Sequence, residues 1–216
     1  MIHFGCSFKK DEADLLLSRE NYLYKKRNGE YPLRFGGIWT ADDIAEHEQI
    51  CLDNFDLNML FYDQLDGVQF DNQIERLKFE FPDFVEITDL TQEKERYGIY
   101  AMILDEYKQI YIGKTRKNFF YRIKKHWSDN VEFDRLIFGD WRKSKLPIDS
   151  FKALDTTRIL VMPLEGYSEE DILIVEQVLV ESIDEVFLAN RLSGGSIQWS
   201  NRLTPYMCSK VKFRNL

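Results

Sequence analysis

The sequence predicts an α+β protein, in which a small central antiparallel sheet is flanked by helices and preceded by a mainly helical N-terminal region. Three observations lead to this fold class. Two short apolar runs between residues 97 and 115 alternate as strands do, with a polar turn between them. A third strand pattern, Thr157–Met162, precedes a long helix pattern that opens at Ser168. The first 95 residues show helix patterns and helix caps.

Composition narrows the class of protein. The chain has 216 residues, enough for one large or two small domains, and its 44% hydrophobic content is ample for a core. No apolar run approaches the ~18 residues that cross a bilayer, and the N-terminus lacks a secretory apolar core. The three cysteines are far apart and odd in number, which argues against a disulfide framework and a zinc site. We therefore expect a reduced, cytoplasmic protein with no membrane association.

Charge is divided unequally along the chain. Residues 1–95 carry 10 basic and 21 acidic residues, a net charge of −11, whereas residues 96–152 carry 13 and 7, a net charge of +6. The formal charge of −8 for the whole chain thus comes from the N-terminal half. A phosphate ligand responds to the local field and not to the charge of the whole protein, so the basic stretch remains a candidate nucleic-acid surface.

The N-terminal half contains three predicted helices and no motif that we recognise. They cover Asp11–Arg27, a stretch from the Thr40/Asp43 capping box to about Cys51, and Asp71–Phe81, where Pro82 stops the helix. A polar linker is expected at Thr88–Arg96. Residues 1–95 are therefore interpreted as an acidic accessory region. Its role stays open between DNA recognition, partner binding and a packing layer over the second half.

The stretch Tyr97–Trp127, YGIYAMILDEYKQIYIGKTRKNFFYRIKKHW, is the centre of the prediction. A hairpin that is symmetric about Asp105–Glu106 would place Tyr100 opposite Tyr111 on one face. The helix predicted for Asn118–Trp127 places Arg122 and His126 on one side, because they are four residues apart. Two phenols, a guanidinium and an imidazole are thus expected to converge.

Beyond this stretch, residues 130–152 are interpreted as a variable insertion, and the late helix draws attention to Glu176. The neighbours of Glu176 one helical turn away on either side are Ile172, Leu173, Leu179 and Val180. Its carboxylate should therefore face the core. A buried carboxylate without a partner costs several kcal/mol, so a metal ion or Arg122 is expected beside it. An ordinary core salt bridge is the plainer alternative.

The hairpin and its helix resemble the GIY-YIG nuclease family. Gly98-Ile99-Tyr100 and Tyr111-Ile112-Gly113 match both halves of the signature, and the two tyrosines are eleven positions apart, a usual spacing there. Arg122 falls close to the family arginine, and His126 falls where the family carries His or Tyr. Either half-signature alone is a weak signal, whereas both together with Arg and His at helical spacing are a strong one.

The resemblance covers about Tyr97–Asn190 and implies a catalytic domain over residues 96–200 with a C-terminal tail over 201–216. The family carries a glutamate on a late helix and an asparagine after a short strand. Glu176 and Asn190 fit that order, with Val186–Ala189 as the short strand, and Asn201 is a lower-ranked second candidate. The glycines of Ser193–Ser196 could bring backbone N–H groups to a phosphate, although a lone Gly-Gly is a weak signal and a plain turn is the favoured account.

The resemblance implies a divalent-metal-dependent DNA endonuclease that leaves 5′-phosphate and 3′-hydroxyl ends. Glu176 would hold Mg²⁺ or Mn²⁺, and Arg122 would clamp the phosphate oxygens. Tyr100 is the first choice of general base and Tyr111 the second, with His126 as proton relay. The site must either lower the phenol pKa, through the positive charge of Arg122, Lys114 and the metal, or share the proton. The sequence does not decide between the two tyrosines. Asn190 completes the implied catalytic set.

Four basic residues near the signature are the expected phosphate contacts: Lys114, Arg116, Lys117 and Lys125. The N-terminal extension resembles the layout of the restriction endonucleases of this family more than that of its homing or repair enzymes. Two alternatives stay open, a non-catalytic nucleic-acid or protein binding module on the same scaffold and a structure-specific repair nickase. A homodimer, and a protein partner for the acidic N-terminal half, also stay open.

Overall fold

A four-stranded antiparallel sheet lies at the centre of the protein in a computed structural model that describes residues 1–34 and 37–191. The strand order is β3-β6-β4-β5, and a separate small hairpin pairs β1 with β2. The strands are β1 Ile2–His3, β2 Cys6–Ser7, β3 Val85–Ile87, β4 Gly98–Leu104, β5 Gln109–Thr115 and β6 Arg158–Pro163. The mixed, antiparallel α+β class predicted from the sequence is confirmed.

Helices cover both faces of the sheet. Those of the described residues are α1 Arg19–Tyr22, α2 Ala41–Asp63, α3 Gly67–Glu80, α4 Phe119–Ser128 and α5 Glu169–Ser182. Along β4, Tyr100 and Met102 pack on the side of α4 and the N-terminal segments, whereas Ile99 and Ala101 pack on the side of α3 and α5. This alternation follows from the two-residue period of a strand and leaves β4 buried on both sides.

The register of the central hairpin differs from the predicted one. Tyr100 lies opposite Gly113, and Tyr111 lies opposite Met102. The reason is the turn, which is a 3₁₀ turn over Asp105–Tyr107 followed by Lys108 in the left-handed region at φ 50°. A shift of two residues preserves the face of every side chain, so the two tyrosines still lie on the same face as diagonal neighbours.

The observed register gives a steric reason for glycine at two positions, Gly98 and Gly113. A Cβ on Gly113 would lie 2.4 Å from the Tyr100 hydroxyl oxygen. A Cβ on Gly98 would lie 2.3 Å from the Met162 carbonyl oxygen, and Gly98 has φ +145°. Both strands therefore need glycine where a side chain or the next strand approaches most closely.

The predicted helix Asp11–Arg27 is wrong. The chain instead forms a 3₁₀ turn over Glu12–Leu15 and the single helical turn α1. The backbone N–H of Leu17 donates to both carboxylate oxygens of buried Asp155, which holds the chain extended between the two turns. A helix pattern was thus overridden by a contact to a residue far along the chain.

The other N-terminal helices are longer than predicted. The Thr40/Asp43 capping box is confirmed, but α2 continues past Cys51 to Asp63 because it keeps burying residues on one face. Helix α3 begins at Gly67, capped by Asp66, and not at Asp71. Within the described residues, no helix combines the length and the apolar character that a bilayer crossing requires.

The accessory region contributes to the central sheet. Val85–Ile87 forms the edge strand β3 and pairs with β6, although no strand was expected there. The expected linker contains a 3₁₀ turn, Leu90–Gln92, whose Leu90 is buried. The division at residue 95 stays a prediction, and the sheet includes strands from both sides of it. The C-terminal tail, Ser193–Ser196 and Asn201 lie outside the described residues.

The segment from 130 to 152 is packed into the core and is not a surface loop. Short 3₁₀ turns bring its apolar side chains inward, and those buried are Phe133, Leu136, Leu146, Ile148 and Phe151. Its last turn, Ile148–Ser150, packs against α4. The insertion can therefore contribute side chains to the face of α4 against which it packs.

Candidate functional site

Tyr100 and His126 form the buried centre of the site. Tyr100 points from the middle of β4 towards α4, and its hydroxyl lies 2.7 Å from Nε2 of His126. The residue Tyr100 is 0% exposed and His126 is 1% exposed. Asn118 fixes the start of α4 by accepting a hydrogen bond from the N–H of Tyr121, and this sets the turn on which His126 faces the sheet. The predicted meeting of hairpin and helix is confirmed for this pair.

Tyr111 and Arg122 complete a compact group around Tyr100. The ring of Tyr111 lies 6.3 Å from that of Tyr100 and 5.3 Å from the imidazole of His126, measured between centroids. Both Arg122 and Tyr111 lie close enough to the Tyr100 hydroxyl to influence its pKa. Tyr111 is only half-buried, whereas Tyr100 is fully buried, so Tyr111 is the residue of the pair that lies nearer to solvent.

Both phenols are poor acids in this setting. Burial raises the pKa of Tyr100 well above its ordinary value, and the nearby Arg122 charge only partly offsets the effect. Burial likewise raises the pKa of Tyr111 to about 12, against the lowering influence of Arg122. The positive charge of Arg122 lowers both pKa values in the expected direction, but desolvation outweighs it, and the lowering expected from a metal ion stays a prediction. Both hydroxyls carry their protons at neutral pH.

Glu176 faces the core from α5, as predicted, and is 8% exposed. The structure shows the plainer alternative, a salt bridge, in which its carboxylate oxygen accepts from Nζ of Lys114 at 2.7 Å; a metal ion at Glu176 stays a prediction. Lys114 extends from β5 towards α5, directly after the YIG segment. The negative charge of Glu176 adds to the raised pKa of Tyr111, which places the carboxylate within electrostatic range of that phenol. Tyr111 is thus influenced by Arg122 and by Glu176 together.

Asn190 has a positioning role and does not point into the site. Its Oδ1 accepts from the N–H of Ile112 at 2.9 Å, and its Nδ2 donates to the carbonyl of Ile112 at 2.8 Å. Both ends of the amide are therefore used on the backbone of β5, between Tyr111 and Gly113. The short strand expected before Asn190 is a 3₁₀ turn, Glu185–Phe187, followed by a single parallel bridge from Leu188. The two hydrogen bonds make Asn190 a clamp on β5, and its membership of the catalytic set stays a prediction.

Asp149 is the residue that sequence reasoning missed. Its carboxylate hydrogen-bonds with Nδ1 of His126, on the opposite side of the ring from Tyr100. Burial would raise the pKa of Asp149, but the hydrogen bond with His126 and the positive charge of Arg122 hold it below its ordinary value. No motif marks Asp149, which lies 23 residues after His126 in the insertion. The only available signal was a carboxylate in a segment with basic and apolar neighbours.

The four predicted phosphate contacts lie at different depths. Lys114 pairs with Glu176. Arg116 pairs with Glu169 at 2.8 Å and Lys125 with Asp129 at 2.9 Å, in both cases at the surface. Exposed pairs of this kind are worth ~0–1 kcal/mol, so a phosphate can replace the carboxylate partner at little cost. Lys117 is exposed, with Nζ 5.6 Å from the centroid of the Tyr121 ring.

The resemblance implies a divalent cation, and the side chains that could bind it limit how it would be held. In residues 1–34 and 37–191, no three His, Cys, Asp or Glu side chains converge as a metal group would require. Mg²⁺ differs from zinc or calcium in keeping several waters, and it is commonly held by one or two carboxylates with substrate phosphates. Glu176 fits that mode, as a single carboxylate among basic and phenolic groups. It does not fit a resident, fully protein-ligated metal.

Comparisons of the chain with protein-family models, with curated proteins and with solved structures found no match. The resemblance to the GIY-YIG family therefore depends on the signature residues themselves and on the arrangement described above.

Proposed function

We propose that this protein is a divalent-metal-dependent DNA endonuclease of the GIY-YIG type, which hydrolyses phosphodiester bonds to 5′-phosphate and 3′-hydroxyl ends. One observation carries the proposal: Tyr100, Tyr111, Arg122 and His126 meet on one face of the sheet, with Glu176 within electrostatic range of Tyr111. Packing of a hydrophobic core does not require this many polar groups at one point. Such groups suit proton transfer and anion binding at a phosphate.

The accessible phenol is the better choice for contact with the attacking water. Tyr100 is fully buried, so we assign the contact with water to half-buried Tyr111 and reverse the order favoured by the sequence. The raised pKa of both tyrosines means that neither rests as a phenolate. A proton taken from water by Tyr111 must therefore be matched by one passed on, and the neighbouring phenol of Tyr100, which is hydrogen-bonded to His126, provides the route.

Arg122 and Lys114 supply positive charge at the scissile phosphate. The guanidinium has the fork geometry that suits two non-bridging phosphate oxygens, and it already lies beside the phenols. Lys114 neutralises Glu176 in the protein without DNA. Glu176 would hold Mg²⁺ or Mn²⁺ together with waters and phosphate oxygens, and the bound ion would act as Lewis acid on the leaving 3′ oxygen.

The test is plasmid cleavage with Mg²⁺ by the wild type and by Glu176→Ala and Arg122→Ala. Glu181→Ala is the matched control, because Glu181 lies on the same helix but is exposed and bonds only with Gln177 among the contacts described. We expect cleavage by the wild type and the control, and loss of about 10²-fold or more in both site variants, as when a charge-stabilising group is removed from an active site. Equal cutting by all four proteins would refute the assignment.

The products distinguish the kinds of nuclease. A fixed fragment pattern supports a restriction-type enzyme, whereas single nicks at lesions or branches support a repair enzyme. One site of this type cuts one strand, so a double-strand break requires a dimer or two successive nicks.

The Lys114–Glu176 ion pair favours a second candidate, a binding module on the same scaffold. The carboxylate is charge-compensated by the protein itself, so folding needs no metal at this position. This reading predicts DNA binding without cleavage at any Mg²⁺ or Mn²⁺ concentration. An electrophoretic mobility assay run beside the plasmid assay separates the two.

A further inference from the structure

We propose that Asp149, supplied by the segment between α4 and β6, is the positioning residue that fixes His126 as the Nδ1–H tautomer, so that Nε2 can receive the proton of Tyr100. The inference rests on the proposed nuclease function for its chemistry. Its geometric part concerns the protein alone and can be tested without DNA.

The tautomer follows from the two partners of the imidazole. An ionised carboxylate only accepts hydrogen bonds, so Nδ1 of His126 must carry the proton that Asp149 accepts. In the neutral ring, Nε2 is then an acceptor, and the hydroxyl of Tyr100 at 2.7 Å donates to it. The order phenol, imidazole, carboxylate has the logic of a catalytic triad, in which the carboxylate orients the ring and stabilises the imidazolium that forms.

The groups that face His126 come from every element packed against it. Tyr100 faces it from β4 and Tyr111 from β5, Arg122 lies on its own helix, and Asp149 closes the site from the insertion. Asp149 supplies the one acidic side chain in this set. Removing it leaves a buried imidazole among phenols and a guanidinium, without the carboxylate that holds the proton on Nδ1.

Every proton is accounted for in the proposed hydrolysis of the phosphodiester bond. Water forms a bond to phosphorus as the bond from phosphorus to the 3′ oxygen breaks. Water gives its proton to Tyr111, Tyr111 gives its hydroxyl proton to Tyr100, and Tyr100 gives its own to Nε2 of His126. The leaving 3′ oxygen is protonated from solvent, and the imidazolium later returns its proton to solvent. Asp149 stays ionised throughout and stabilises the imidazolium.

The position of Asp149 also places an ionised group between the buried imidazole and solvent. The Asp149 side chain is 37% exposed, whereas the His126 side chain is 1% exposed. It lines a polar pocket of about 170 Å³ together with Asp129, Arg135 and Arg191. A proton held on the buried ring thus has a solvent-facing carboxylate beside it.

The decisive measurement is the ¹⁵N spectrum of the imidazoles at pH 7.5. The chain has three histidines. His3 and His47 each contact a backbone carbonyl through Nε2, at 2.8 Å and 2.9 Å, so both must carry their proton there. We expect one ring of the opposite type, with the proton on Nδ1, and its loss in His126→Gln. If the His126 ring carries a proton on Nε2 in the wild type, the proposal is overturned.

Kinetics give the second readout. Asp149→Asn should mix the two tautomers of His126 and lower kcat by about 10²-fold or more, since loss of the carboxylate that sets a histidine tautomer costs up to ~10⁴-fold in hydrolases. KM for DNA should change less than threefold. Asp129→Asn is the matched control, because it removes the same charge from the same pocket but contacts Lys125 and not His126. Equal loss of kcat in the two variants would overturn the proposal.

The two proposals fail separately. If the wild type cuts no DNA under any metal condition, the nuclease assignment fails, and the ¹⁵N spectra of wild type and Asp149→Asn still decide whether Asp149 sets the tautomer. If DNA is cut but Asp149→Asn retains both the Nδ1–H form and full kcat, the assignment stands and the role of Asp149 is refuted.

Discussion

Gly113→Ala should be one of the most damaging single-methyl changes in the protein. The added Cβ would lie 2.4 Å from the Tyr100 hydroxyl oxygen, 2.5 Å from the adjacent ring carbon and 2.9 Å from a ring carbon of Tyr111. Favourable carbon contacts begin near ~3.5 Å, so about 1 Å of movement is required. Tyr100 is fully buried between β4 and α4 and has no space into which it can move.

The magnitude has two parts. Overpacking of a well-packed site costs ~1–3 kcal/mol. Displacing the phenol also breaks its hydrogen bond with His126, a further ~1 kcal/mol. We therefore expect Gly113→Ala to lower the free energy of unfolding by about 2–4 kcal/mol and, if the protein is the proposed nuclease, to abolish cleavage of DNA.

Urea denaturation followed by circular dichroism measures the effect. The control is Gly67→Ala at the start of α3, where the nearest atom to an added Cβ is 3.9 Å away and alanine should stabilise the protein by ~0.4–1 kcal/mol. In a double-mutant cycle, Tyr100→Leu should remove most of the additional cost of Gly113→Ala, because the clashing ring is gone. Additive costs, or a Gly113→Ala protein as stable as the wild type, would show that the close approach does not set the choice of glycine.

Three further predictions follow from the same contacts. Asn190→Ala should cost ~2–4 kcal/mol in urea denaturation, because it leaves the N–H and C=O of Ile112 without their partner; a change under 0.5 kcal/mol would contradict the clamp. Burial lowers the pKa of Lys145 to about 8, so the unfolded chain binds more protons than the folded protein between pH 8 and 10.5. The free energy of unfolding of the wild type relative to Lys145→Met should therefore rise with pH across that window by up to ~3 kcal/mol. A difference between the two proteins that does not change with pH would contradict this. Lys125→Ala should lower DNA affinity uniformly across sequences and reduce the slope of log K against log salt by about 1, whereas removal of its partner in Asp129→Ala should not reduce it.

The sequence alone predicted the structural features that depend on the spacing of nearby residues. The period of two along Gly98–Leu104 placed Tyr100 on one face, and the spacing of four along α4 placed Arg122 and His126 together. The capping boxes at Thr40 and Ser168 fixed the starts of two helices. Each of these features is set by residues within one or two turns of one another, so the sequence alone displays them.

Errors occurred where a distant contact competed with a local pattern. The helix expected over Asp11–Arg27 gave way to the bond between Leu17 and Asp155, 138 residues apart. Strand β3 was missed because three residues carry too little periodicity, and only its pairing with β6 identifies it. The hairpin register was displaced by the left-handed residue Lys108, which no dipeptide signal announced.

The amino-acid sequence by itself determined the fold class, the hairpin and helix that carry the signature, and the core-facing position of Glu176. It did so because strand and helix periods place side chains on faces whatever lies opposite them. The tertiary structure alone decided the partner of each polar group: Lys114 for Glu176, the backbone of Ile112 for Asn190 and Asp149 for His126. Partners are chosen by which buried charges and amides meet across layers, and that depends on the packing of the whole chain.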